Sequence, residues 1–81
     1  MHQLAFEEGI LIAALVRERT VPQGRAISCD WQWLRAQAMP LIEDRIPPGC
    51  SAGRIGLLRA IALCGVFVGW RRLAEGEALP P

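Results

Sequence analysis

Residues Ala60–Trp70 form an unbroken apolar run, and inside it stand Gly65 and Gly69, four residues apart. No other feature constrains the fold as tightly. Projected on a helix at about 100° per residue, Leu58, Ala62, Gly65, Gly69 and Leu73 share one narrow seam. Leu57, Ile61, Cys64 and Val68 share a second, and Phe67, Leu63 and Trp70 fill much of the remaining circumference. Only Arg59 interrupts the apolar surface from Ile55 to Trp70. A helix apolar all round has to be covered on nearly every side. Small residues at i and i+4 let a second helix come close. The chain is therefore expected to pack other helices around this one, with the Leu58–Ala62–Gly65–Gly69–Leu73 seam as a helix-packing or dimer contact.

The same run raises the question of a membrane span, which needs about 20 apolar residues. The uninterrupted stretch is shorter, Arg59 precedes it, and Arg71 with Arg72 forms a basic flank. Membrane association is thus the third-ranked reading. The first residues, "MHQLAFEEG", lack the basic start of a signal peptide, and Glu7 with Glu8 breaks any apolar core there. A cytoplasmic location is the expectation.

Two breaks divide the rest of the chain. "TVPQG", residues 20 to 24, fits a type I turn with Pro22 and Gly24. "IPPGCS", residues 46 to 51, ends one segment and offers Ser51 as the N-cap of the next. The expected helices are 3–19, 29–46 and 52–75, followed by a loose tail, 76–81. In the first, Leu4, Leu11 and Leu15 form a core stripe that Phe6, Ile10, Ala13 and Ala14 widen, and Gly9 can mark a close helix crossing. The second opens after Ser28, a candidate N-cap, with Asp30 in its first turn. Its stripe is Trp31, Leu34, Ala38, Leu41 and Ile42, which keeps its phase across Pro40. Proline has no amide hydrogen to donate, so this helix is expected to be kinked or broken near residue 40. The fold class is all-α: one domain, residues 1–81, built as a small bundle of three to four helices.

Composition narrows the function. Apolar residues make up 52% of 81, more than so short a chain hides easily. The net charge is +1, and all nine basic residues are arginine. Near-neutrality argues against a dedicated nucleic-acid binder. The three cysteines, Cys29, Cys50 and Cys64, include no CxxC pair, and His2 is the only histidine, so no metal or cofactor is expected. They read as free thiols of a reducing compartment, with Cys64 inert inside its helix. Ser28 and Ser51 are caps rather than nucleophiles, and no phosphate-binding loop is present. The chain is not expected to be an enzyme.

Interface chemistry is what remains. Tryptophan and arginine are enriched at binding hot spots. By phase Trp31 belongs to the core, whereas Trp33 falls off the stripe. Trp33 with Arg35, Gln37 and Arg45 forms one candidate protein interface; Trp70 with Arg71 and Arg72 forms a second. The bland alternative for Trp33 is packing against the first helix or the bend at Pro40. A small helix-turn-helix regulator is the second-ranked reading, with Arg17, Arg19, Arg25, Arg35 and Arg45 as phosphate contacts. Its weakness is that the third helix lacks base-reading side chains at its centre.

With its arginine-only basic set, its compact helices "LIAALVRER" and "WQWLRAQAMPLIEDR" and its lack of catalytic residues, the whole chain resembles, in composition, the small accessory proteins of bacteriophages and other mobile elements. The resemblance implies a protein that binds and inhibits or modulates a host complex. The expected partner is another protein, a host factor, or a second copy in a homodimer. Nucleic acid is a less favoured partner and membrane an unfavoured one.

Overall fold

The computed structural model describes residues 2–21 and 30–76, with side chains described from Ala5 onward. They form three α-helices: α1, His2–Thr20; α2, Trp31–Arg45; and α3, Ala52–Ala74. No strand occurs among the described residues. The fold is all-helical, as the sequence predicts, and the three helices close on the expected segments to within two residues.

Local chemistry explains the ends. The Asp30 carboxylate accepts from the backbone N–H of Gln32 at 3.0 Å and of Trp33 at 3.3 Å, satisfying two otherwise orphaned donors. Asp30 is therefore the N-cap of α2, not a first-turn residue; Ser28, like Pro22, Gly24 and Cys29, lies outside the described residues. Ser51 caps α3 as expected, accepting from the Arg54 N–H at 3.3 Å. Gly49, in the Pro-Pro-Gly break, and Gly76, just past α3, take φ of +86° and +83°, a region costly for side chains with a Cβ.

Helix α2 is not broken. It runs through Pro40 to Arg45 as one element. Both Pro40 and Ala36 are exposed, so the Ala36 carbonyl that proline leaves without a donor faces water rather than a dry core. The stripe of Leu34, Ala38 and Ile42 passes under the proline and is buried along its length.

The contacts fix helix direction. Gly9 lies against Ala62–Val66 and Gly69 against Ile10 and Ala13, so α1 and α3 run parallel. Glu8 pairs with Arg45, Glu43 with Arg59, and Trp31 meets Phe67, so α2 is antiparallel to both. This is an up-down-up bundle in which α1 and α3 share the largest interface. The core joins Ile12, Ala13 and Val16 of α1, Leu34, Ala38 and Ile42 of α2, and Ala62, Val66 and Trp70 of α3. No charged or polar side chain is buried among the described residues.

Burial departs from the sequence expectation on α1 and on α2. On α1 Ile10 and Ala13 are buried as expected, together with Gly9, Ile12 and Val16, but Leu11 is exposed and Leu15 only half-buried, and the Leu4 side chain lies outside the described residues. So much of α1 is apolar that its leucines do not fix its orientation; Gly9, whose missing Cβ lets α3 come into backbone contact, does. On α2, Trp31 is 37% exposed rather than core. It sits at the first turn, where it reaches across the open side of α3 instead of under it.

Candidate functional site

The seam of small residues is spent inside the chain. A Cβ placed on Gly65 would collide with the Phe6 carbonyl oxygen, and one on Gly9 with the Ala62 carbonyl oxygen. A Cβ on Gly69 would lie 3.0 Å from the Ile10 Cα and 3.1 Å from the Ala13 Cβ. The backbones of α1 and α3 therefore touch. Gly65, Gly69 and Ala62 are buried and Leu58 and Leu73 half-buried along this line. The expected close crossing exists, and the helix that makes it is the chain's own α1. A dimer has no access to this seam unless α1 leaves it.

The side of α3 turned away from the core, about 110° round from this seam, is open. Leu57 is 45% and Phe67 42% exposed; Ala60 and Cys64 are also exposed, and Ile61 and Val68 are half-buried. Leu57, Ile61, Cys64 and Val68 recur at intervals of four, three and four, the spacing of a two-helix contact seam. Two helices cannot enclose a third, and here the uncovered sector contains no charged side chain over about three turns. Cys64 is accordingly on the surface, contrary to the expectation of an inert interior thiol, because it lies on this sector and not against α1.

One end of the stripe has relief. The rings of Trp31 and Phe67 pack edge to face with centroids 5.1 Å apart. Beside them is a recess lined by Trp31, Leu63, Cys64, Phe67 and Val68. On the far side of Phe67 a second recess is lined by Trp31, Leu34, Trp70, Arg71 and Ala74. The Arg71 guanidinium carbon stands 6.0 Å from the centre of the Phe67 ring, at the outer range of a cation–π contact.

The candidate residues named from sequence do not form one site. Trp33 is half-buried and packs on Trp70 of α3, centroids 5.7 Å apart, rather than on α1 or the Pro40 bend that the alternative reading named. Arg35 is two residues on, about 200° round the helix, and does not share its face. Gln37 is exposed on the Trp33 side. Arg45 lies three turns away, held 3.2 Å from Glu8 and donating to the Leu41 carbonyl at 2.9 Å. Trp70 is 3% exposed and belongs to the core, so the exposed part of its patch is Arg71 and Arg72 alone. Sequence reasoning set aside Trp31 and Phe67. The signal that finds them is the uncovered seam itself, which passes beside Phe67.

Electrostatics pins α2 to α3 at the other end. Arg59 donates from both Nε and Nη2 to the two oxygens of Glu43, the second at 3.1 Å. This bidentate hydrogen bond holds the Glu43 carboxyl below the usual carboxylate range and raises Arg59. A cleft lined by Ala5, Ile12, Ile42, Ile46, Leu58 and Ala62 opens nearby, with the Glu8–Arg45 pair on its wall. It is apolar and offers no constellation for catalysis. Among the described residues no three His, Cys, Asp or Glu side chains gather as metal ligands. Counted as a whole helix, α3 is long and apolar enough to cross a membrane. No protein-family profile, curated protein or solved structure matches the chain.

Proposed function

We propose that this chain is a small, non-catalytic protein-binding module whose docking face is the outer stripe of α3, with Trp31 and Phe67 at its C-terminal end. The observation that carries the reading is that stripe: aligned, apolar, and uncovered. Contiguous apolar surface on a small domain is a mark of interaction surfaces, and the recesses on either side of Phe67 offer pockets for a partner's side chains. The compositional resemblance to accessory proteins of bacteriophages suggests a host complex as the partner, which the chain would inhibit or modulate.

The test is retention of partners from a native-host lysate by wild-type protein and by Leu57→Asp. Leu57 makes little of the core, so the variant should keep its helicity and melting temperature. Loss of the retained proteins supports the reading; an unchanged set overturns it.

One observation favours a second reading, association with a membrane: the length and apolarity of α3. Against full insertion stands Arg59, paired with Glu43 within the length of α3, since charged groups in hydrocarbon are costly. Resistance of the membrane-bound fraction to an alkaline wash would favour this reading over protein binding.

A further inference from the structure

We propose that the occupant of the outer face of α3 is an amphipathic helix of another protein whose apolar stripe is flanked by acidic residues. The inference rests on the protein-binding reading above and adds the chemistry of the partner.

Spacing gives the shape. The four-three-four repeat of Leu57, Ile61, Cys64 and Val68 extends for about 17 Å along α3 at 1.5 Å per residue. A straight, narrow stripe with this repeat accepts the side-chain knobs of another helix. The recess between Trp31 and Phe67 on one side and Val68 on the other is a hole of the kind such a knob fills. A lipid surface would be met by protruding apolar groups, not by recesses.

Charge gives the flanks. Continuing the same repeat by one step in each direction reaches Arg54 before Leu57 and Arg71 after Val68, with Arg72 beside it. All three are exposed, and Arg54 stands between the outer stripe and the cleft that it lines with Glu8, Leu58 and Ala62. Arg71 lies 3.8 Å from Glu75; Arg54 and Arg72 form no ion pair with any described residue. The stripe is thus apolar in the middle, with Arg54 at one end and Arg72 beside the Arg71–Glu75 pair at the other.

That pattern disfavours a second copy. A parallel pair in register would set Arg54 against Arg54 and Arg71 against Arg71 of its twin. An antiparallel pair matched Leu57 to Val68 would set Arg54 against Arg71. Either arrangement brings like charges together at each end, which is costly across an interface, whereas acidic flanks complement them.

The experiment uses the full chain and two synthetic helices with leucine at the four-three spacing, one flanked by glutamates and the other by lysines. Binding is read by fluorescence anisotropy at low salt. The glutamate-flanked helix should bind at least about tenfold more tightly. The gap should close at about 1 M salt, where the Debye length falls to ~3 Å. Leu57→Asp should abolish binding with the circular-dichroism spectrum kept, and the double variant Arg54→Glu, Arg72→Glu should reverse the preference. Equal affinity for the two helices, or binding of neither, overturns the proposal. So does self-association in sedimentation velocity that Leu57→Asp abolishes, which would assign the face to a second copy. So does binding to phosphatidylglycerol vesicles in place of the peptide. If Leu57→Asp loses lysate partners while neither peptide binds, the protein-binding reading stands and only the partner's chemistry is wrong.

Discussion

The two long faces of α3 are built from the same stock of apolar residues and meet opposite fates. The inner face carries Ala62, Gly65 and Gly69, and α1 lies so close that carbonyl oxygens occupy the space where a Cβ would be. The outer face carries Leu57, Cys64 and Phe67, larger side chains that stay in solvent. Hydrophobicity alone would predict the reverse, since larger side chains gain more from burial. The difference teaches that close backbone approach selects the face: small residues bring many atoms into van der Waals range along the whole crossing. The larger side chains, left over, become available for a partner.

The sharpest way to break this contrast is Gly65→Val. Its branched side chain would meet the Phe6 backbone, which has no flexible end to move aside. A domain of this size is stable by only about 4–12 kcal/mol, and the expected outcome is loss of the cooperative thermal transition; Gly65→Ala should cost about 3 kcal/mol or more. The aromatic residues give the next largest contrast. Trp70→Ala empties a core position at 3% exposure and should cost about 3–5 kcal/mol, whereas Phe67→Ala, on the open face, should cost about 1 kcal/mol by losing its contact with Trp31. Urea denaturation of both variants measures the gap; similar midpoints would contradict the assignment of the two faces.

A smaller effect has the opposite sign. Gly56 has open space where a Cβ would stand, so Gly56→Ala should stabilise by about 0.5–1 kcal/mol through helix propensity and unfolded-state entropy. A rise in the urea midpoint checks it. The smallest effect concerns the exposed Arg59–Glu43 pair. The Glu43 carboxyl is held below its ordinary range chiefly by the hydrogen bond from Arg59. Its contribution is therefore complete above the unfolded-state value and is lost as pH falls through the folded-state value. Glu43→Gln should melt slightly below wild type near neutral pH, and the difference should shrink on going to about pH 3. A difference that widens on acidification would contradict the pairing.

The helices themselves are legible in the sequence because their signals are local. Ser51 caps α3 through an atom three residues away, and the Pro-Pro-Gly break stops α2 by backbone restriction alone. The Leu34–Ala38–Ile42 line could be read straight through Pro40 because the helix period is intrinsic. The tryptophans were less readable. Trp31 is on phase yet exposed, and Trp33 is off phase yet packed on Trp70. At a helix end, burial depends on how far the neighbouring helices extend, which the phase of α2 does not contain.

The sequence by itself determined that the chain would be an all-helical bundle of three to four helices, that α3 would be apolar around its circumference, and that something would approach Gly65 and Gly69. Only the tertiary structure decided that this something is α1, through Gly9, and that the leftover face is Leu57–Val68 bounded by arginines. The physical reason is that a helix apolar on all sides has no preferred orientation of its own. Gly53, Gly56, Gly65 and Gly69 look alike as letters, and only the position of the second backbone separates the pair that needs to be small from the pair that faces open space.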